Sequence, residues 1–207
     1  MYLFYHIYKV NNWRDLVTEQ LDRVVKSGLY KECDALFVNA TGNNEDSTWI
    51  MDKYPKVSWS DWNKNEWELP TLVKLQEFCR NELAGKSEAI FYFHTKGVTH
   101  PNIPTIQDWR FLMEYYCIDN WKKCVFRLAA GVDAVGCNLQ EEPYRHFSGN
   151  FWWANSKYIA EKVATMEIDA NRMNAEFWLA SGNGKFDCVK HSNIDHYYQY
   201  YPRELYL

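Results

Sequence analysis

Ala89-Ile90-Phe91-Tyr92-Phe93-His94-Thr95-Lys96-Gly97 opens with five apolar or aromatic residues and closes on three polar side chains and a glycine. The apolar run, coming after the charged Lys86-Ser87-Glu88, predicts a buried strand. Its abrupt end brings an imidazole, a hydroxyl and an ammonium together where a strand meets a turn. In open α/β sheets ligands sit in the crevice beyond the carboxyl ends of the strands, so His94, Thr95 and Lys96 are well placed to hold an anion. Lys is a compact, mobile point charge suited to phosphate, and Thr adds a hydroxyl donor. A strand meeting an ordinary turn, with Gly97 supplying the unusual backbone angle, accounts for the same residues.

Outward from this strand, β-type and helical patterns alternate. Tyr2 to Tyr8 reads as a strand, and a helix from about Trp13 to Ser27 has Leu16, Val17, Leu21, Val24 and Val25 at helical spacing. Ala35 to Val38 is a second strand, closed by Asn39-Ala40-Thr41-Gly42-Asn43-Asn44, a loop rich in turn formers. Lys56 to Trp59 reads as a short strand and Leu69 to Leu83 as a helix with Pro70 in its first turn. Beyond the central strand, Gln107 to Ala130 is predicted largely helical and Asp133 to Cys137 a strand. A helix from about Ser156 to Thr165, a short one over Asn171 to Ala180 and a last strand from Lys185 to Lys190 complete the pattern. Such alternation predicts an α/β sandwich, helices flanking a mostly parallel or mixed sheet. No linker, repeat or low-complexity tract divides the chain, so one domain is expected.

The 207 residues suffice for one well-buried core. A net charge of −4 argues against a partner bound by phosphate neutralisation along nucleic acid. Aromatic residues form 17% of the chain, with ten Trp and fifteen Tyr; their rings fill cores and also make platforms for sugar faces. The six cysteines form no Cys-x-x-Cys pair and no zinc spacing, which predicts buried thiols in a reducing compartment. Met1 to Tyr8 lacks a basic n-region, and no apolar stretch is long enough to span a membrane. The expectation is a soluble protein of the cytoplasm.

Four further groups can carry chemistry. His6 and Tyr8 fall on the first strand, with Asn39 and Thr41 at the end of the next, where a nucleotide base and ribose commonly lie; half-buried core residues read the same way. Ser148-Gly149-Asn150 is a tight polar turn fused to Phe151-Trp152-Trp153, which suits sugar hydroxyls against a ring face, though a strand with large core residues fits as well. Glu176, amid Ala175, Phe177 and Trp178, is a helix cap or a base activated by burial. His191 and His196, with Asp195, are candidates for a phosphate or metal, surface exposure being the default. No Gly-rich phosphate loop or dinucleotide fingerprint occurs.

Taken together, Tyr92-Phe-His-Thr-Lys-Gly97, Ser148-Gly-Asn-Phe-Trp-Trp-Ala154 and Ala175-Glu-Phe-Trp-Leu179 resemble small viral and bacterial glycosyltransferases of the GT-A fold. The resemblance is strongest to the N-terminal glycosyltransferase domain of chlorella viruses, which builds glycans on the capsid protein, and it covers nearly the whole chain. It implies a central sheet of about six strands, a UDP-sugar donor, a hexose or deoxyhexose moved to a glycan or glycoprotein acceptor, Mn²⁺ assistance and, for a viral protein, the host cytoplasm. The Asp-x-Asp pair that usually holds the metal is not found after the central strand. His94-Thr95-Lys96 stands there instead, a cation in place of a ligand for one, so the metal ligands are unassigned.

On this reading uracil and ribose lie near His6, Tyr8, Asn39 and Thr41. The diphosphate lies at His94, Thr95, Lys96 and Gly97, helped by His191 or His196. Ser148, Gly149, Asn150, Trp152 and Trp153 frame donor sugar and acceptor, with Asp108, Trp109 and Arg110 bordering the acceptor. Glu176 is the base of an inverting displacement and Lys96 the catalytic cation. The competing expectation is a carbohydrate-binding module without catalysis, its Trp and Tyr rings the stacking surface; a nucleotidyltransferase would normally carry the phosphate loop that is missing.

Overall fold

Strand formation follows the aromatic and β-branched runs. The computed structural model describes residues 1–62, 64, 66–168 and 171–207. In chain order it has β1 (Tyr2–Lys9), α1 (Trp13–Lys26), α2 (Leu29–Glu32), β2 (Ala35–Gly42), α3 (Thr48–Lys53), β3 (Val57–Asp61), α4 (Leu69–Asn81) and β4 (Ala89–His94). There follow α5 (Pro104–Glu114), a π-helical turn (Tyr115–Asp119), α6 (Trp121–Ala129), β5 (Ala134–Cys137), β6 (Leu139–Gln140), β7 (His146–Phe147), β8 (Trp152–Asn155), α7 (Ser156–Glu161), α8 (Asn174–Phe177) and β9 (Phe186–Lys190). Short 3-10 turns cover Trp178–Ser181 and Arg203–Leu205.

Among the described residues the main sheet has seven strands in the order β3-β2-β1-β4-β8-β5-β9, one more than expected. It is mixed: β8 runs antiparallel to both β4 and β5, while β1 to β4 are mutually parallel and β5 pairs parallel with β9. β6 and β7 form a separate antiparallel ribbon. Because the chain builds outward from β1 to β2 and β3 and then returns to add β4 on the other side, strand order reverses between β1 and β4. That switch point leaves a crevice at their carboxyl ends.

Buried side chains pack both faces. One face carries Leu3, Tyr5, Phe91, Phe93 and Trp153 under α1 and α5, with Leu16, Val17, Leu21 and Val24 of α1 buried at helical spacing. Each such aliphatic side chain contributes on the order of 1.5–3 kcal/mol when fully buried. The other face carries Phe4, Ile90, Tyr92, Trp152 and Ala154 under α4 and α7. The alternation of Phe91 and Phe93 with Ile90 and Tyr92 between these two cores is why β4 reads as continuous apolar sequence: both of its faces are covered.

Two expectations change. Asn39 to Gly42 is not loop: β2 continues through Gly42, pairing residue for residue with β1 as far as Lys9. Central pairing outweighs the turn propensity of Asn and Gly. The helix expected from Gln107 to Ala130 begins at Pro104 and breaks at the π-helical turn. There the indole N–H of Trp153 donates to the carbonyl of Cys117, 2.9 Å away, so a group from the sheet enters the helical ladder. All six cysteines are free thiols, five of them buried. Among the described residues no helix is long and apolar enough to cross a membrane.

Candidate active site

The carboxyl ends of β1 and β4 border a cavity of about 430 Å³ at the switch point. His6 and Tyr8 line it from β1, and His94, Thr95, Lys96 and Gly97 from the end of β4 and the following turn. The turn is fixed by reciprocal bonds: Thr95 N–H donates to the His6 carbonyl (3.1 Å), and Thr95 Oγ1 accepts from Tyr8 N–H (3.0 Å). Gly97 has φ +86, and a Cβ there would lie 2.9 Å from Ile106 Cγ2, so both backbone and space call for glycine. Trp67, at φ +50, lines the opposite wall. A bulky residue in that region holds about 1–3 kcal/mol of strain, and such strain collects at functional sites.

Lys96 is 9% exposed, and among the described residues no carboxylate or hydrogen-bond acceptor meets its ammonium. Instead Nζ stands 3.7 Å from the centroid of the Trp109 ring. Burial brings its pKa down to about 8, against the opposing pull of Glu176 and Glu68. The ammonium is thus desolvated and rests on the Trp109 face, with the Tyr197 ring centroid 5.9 Å away.

Glu68, just before α4, enters from the other side of the cavity. Its Oε2 accepts from the Tyr92 hydroxyl (2.8 Å) and from Asn150 Nδ2 (2.7 Å), while Oε1 faces His94 Nδ1 at 3.6 Å. The other ring nitrogen, His94 Nε2, lies 3.0 Å from the Gly149 carbonyl. A carbonyl only accepts, so the Nε2 proton is committed there and the Nδ1 lone pair is left against the carboxylate. Burial raises the Glu68 pKa, but His94, His6 and the two hydrogen bonds outweigh it and hold the carboxyl below its ordinary range. Burial lowers His94 despite Glu68, leaving a neutral imidazole beside an ionised carboxylate. A proton arriving at Glu68 is shared with His94.

The structure gathers only part of the expected site. His6 lines the cavity but is held between Thr71 Oγ1 (2.8 Å) and Thr41 Oγ1 (3.4 Å), and burial lowers its pKa to about 4. Thr41 and Asn39 are buried beside β1 and neither lines this cavity. Trp152 and Trp153 are 0% exposed and so offer no ring face to a sugar. Both lie on β8, a central strand with a core on each side, which buries the two indoles. Their N–H groups find partners within the protein, Asn150 Oδ1 (2.8 Å) and the Cys117 carbonyl.

Ser148-Gly149-Asn150 lies behind the site. Its carbonyl at Gly149 and amide at Asn150 brace His94 and Glu68. A Cβ on Gly149 would come within 2.5 Å of Met113 Sδ, so its openness serves packing rather than a ligand. Ser148 lies outside the lining. Trp109 supports Lys96 and stacks on His196, 5.2 Å centroid to centroid. His196 is buried, bonded to Ser192 Oγ (2.7 Å), and lowered to about 4 by burial, so it acts behind Trp109. Arg110 is tied to Glu114 and Glu19. Asp108 and the exposed His191 lie outside the lining. Glu176 is half-buried and also outside it, although its charge acts on Lys96 and His94. Sequence reasoning missed Glu68, Trp67, Arg172 and Tyr197, all of which line the cavity. Glu68 carried one signal, a carboxylate next to the Leu69-Pro70 helix start.

The Mn²⁺ implied by the resemblance needs several hard oxygen ligands. Glu68 is the one carboxylate among the described lining residues, its Oε2 already accepts two hydrogen bonds, and the Lys96 ammonium shares the space. Among the described residues no cluster of three or more His, Cys, Asp or Glu has metal-binding geometry. The described donors do not fit a divalent cation here.

A family model described as Domain of unknown function (DUF8361) matches residues 4–199. The chain belongs to that family. No curated protein matches the sequence. Solved structures that resemble it include a 4-diphosphocytidyl-2C-methyl-D-erythritol synthase, 9% identical, covering 84% of this chain and 93% of that one with a TM-score of 0.41. Another is the 4-diphosphocytidyl-2C-methyl-D-erythritol synthase of Anaerococcus prevotii DSM 20548, 12% identical, covering 93% and 90% with a TM-score of 0.43. At these scores the likeness says nothing of this chain's activity.

Proposed function

We propose that the switch-point cavity holds the diphosphate of a nucleotide-sugar and that the protein is a glycosyltransferase. In this reading a hexose or deoxyhexose passes from a UDP-sugar to a glycan acceptor. One observation carries it: a buried ammonium, Lys96, that meets no carboxylate within ion-pair distance among the described residues, at the carboxyl end of β4, in a cavity of about 430 Å³. The resemblance to the chlorella virus domain supports the UDP-sugar and makes a viral or surface glycoprotein, glycosylated in the cytoplasm, the proposed carrier of the acceptor.

The chemistry follows from the charges. As the bond from the anomeric carbon to the diphosphate oxygen breaks, its electron pair leaves on the diphosphate. Lys96, with Arg172 at the rim, meets that growing charge; losing one such preplaced group typically costs about 100-fold or more in rate. The acceptor hydroxyl gives its proton to a base as its oxygen bonds the anomeric carbon on the face opposite the departing diphosphate, so the single displacement inverts that carbon. Glu68 lines the cavity, whereas Glu176, the base expected from sequence, stands outside it, so geometry favours Glu68. His94 shares the proton and Asn150 and Tyr92 orient the carboxylate.

A thermal-shift panel of UDP, GDP and CDP, each with and without Mn²⁺, tests this reading. UDP stabilises the protein in proportion to occupancy and to the same extent in both conditions. A flat response to every nucleoside diphosphate contradicts the assignment, and a binding module without an anion site would give that flat response.

A further inference from the structure

A second cavity, of about 230 Å³, lies between α4 and the strands β2 and β3 at one edge of the sheet. It is separated from the first by a hydrogen-bonded pair: Thr71 lines the second cavity, His6 lines the first, and the two side chains meet at 2.8 Å. Its floor is aromatic. Phe4 and Phe37 stack with centroids 4.8 Å apart, and Phe78 packs against Phe37 at 4.8 Å.

The polar edge of this cavity offers donors. Lys74 Nζ donates to Ser60 Oγ and, at 3.4 Å, to Asn39 Oδ1, and Ser60 Oγ donates to the same Oδ1 at 2.8 Å. Asn39 is 2% exposed, and its Nδ2 has no hydrogen-bond partner. Turning the amide over would set Nδ2 against the Lys74 ammonium, donor to donor, so the orientation is fixed and the N–H groups stay unmatched. Among the described residues Lys74 has no carboxylate within ion-pair distance. An aromatic floor, an ammonium with no carboxylate within ion-pair distance among the described residues (Glu77 acts on it only from farther off) and a buried amide without an acceptor together define the ligand that would fit. It is flat, it carries acceptor oxygens and it is negatively charged.

We infer that this second cavity binds a small aromatic carboxylate, its ring on the Phe4–Phe37–Phe78 floor and its carboxylate on Lys74 and Asn39. The volume agrees: a cavity of about 150 Å³ holds one benzene ring, and 230 Å³ leaves room for the carboxylate. A neutral heterocycle such as uracil would fill the floor but leave Lys74 uncompensated. The site is independent of the transferase reading, since it shares no lining residue with the first cavity.

Isothermal titration of the intact protein with benzoate, benzamide and uridine tests the inference. Benzoate is expected to bind saturably and roughly tenfold or more tighter than either neutral probe, because its bonds to Lys74 are charge-assisted. Lys74→Met should weaken benzoate by a similar factor. So should Ser58→Trp, which plugs the cavity from an exposed position on β3 and leaves the core intact. Lys96→Ala should leave benzoate affinity unchanged. Absence of saturable benzoate binding overturns the site, as does equal or tighter binding of benzamide or uridine. Loss in Lys96→Ala with retention in Lys74→Met would move the anion to the first cavity and equally overturn it.

Discussion

Replacing Lys96 by Met should make the ligand-free protein more stable and the nucleotide-bound complex weaker. Burial brings the ammonium from its ordinary 10.5 down to about 8. At about 1.4 kcal/mol per pH unit, keeping it charged near neutrality costs about 3 kcal/mol. The Trp109 face, 3.7 Å away, returns about 1–2 kcal/mol. Methionine keeps the alkyl volume without the charge, so the variant should gain about 1–2 kcal/mol. For a chain of this size that is about 2–8 °C in Tm. The sign has a pH signature. A lysine whose folded pKa is depressed carries its full penalty below about pH 8 and sheds it as pH rises toward 10.5. Wild type should therefore gain stability relative to Lys96→Met across that window, and the two should converge at its upper end. Against this gain, loss of a charged hydrogen bond to the diphosphate removes about 1.5–3 kcal/mol of binding, or about ten- to hundredfold in Kd for UDP. Urea denaturation across pH, with calorimetric titration of UDP, reads both quantities. A variant less stable than wild type, or one with unchanged UDP affinity, refutes the view of Lys96 as an uncompensated cation kept for an anion.

Glu68→Gln should retain UDP affinity yet lose about 100-fold or more in transfer or donor hydrolysis. Glu176→Gln should lose far less, and the reverse ranking would return the base to Glu176. Glu114 is fully buried and takes Arg110 (3.2 Å), Arg23 (2.9 Å) and Gln20 (2.9 Å), so Glu114→Ala should destabilise the protein by about 3–5 kcal/mol in urea. Trp152→Ala should cost about 3–5 kcal/mol of stability; loss of sugar affinity at unchanged stability would restore it as a stacking platform.

The alternation of strands and helices was readable because periodicity reports which faces are covered, and β4 in particular announced itself as a strand buried on both sides. The polar stop at His94-Thr95-Lys96 was equally readable, since polar residues ending such a strand have few places to point but the crevice. What the chain order hid was anything set by non-local contact. Glu68 becomes conspicuous only when β4 and the Ser148-Gly149-Asn150 turn close around it. The Phe151-Trp152-Trp153 run suggested a sugar platform because sequence does not say that β8 is inserted between β4 and β5, with both indoles buried. Asn39 and Thr41 read as loop because local turn propensity does not report the parallel register that sets them opposite His6 and Tyr8 of β1.

The most direct test is a crystal structure of the protein grown with UDP. Diphosphate oxygens within hydrogen-bond distance of Lys96 Nζ, at the mouth of β1 and β4, are the predicted result. A nucleotide bound elsewhere, with Lys96 still resting on Trp109 and no phosphate near it, would contradict the account.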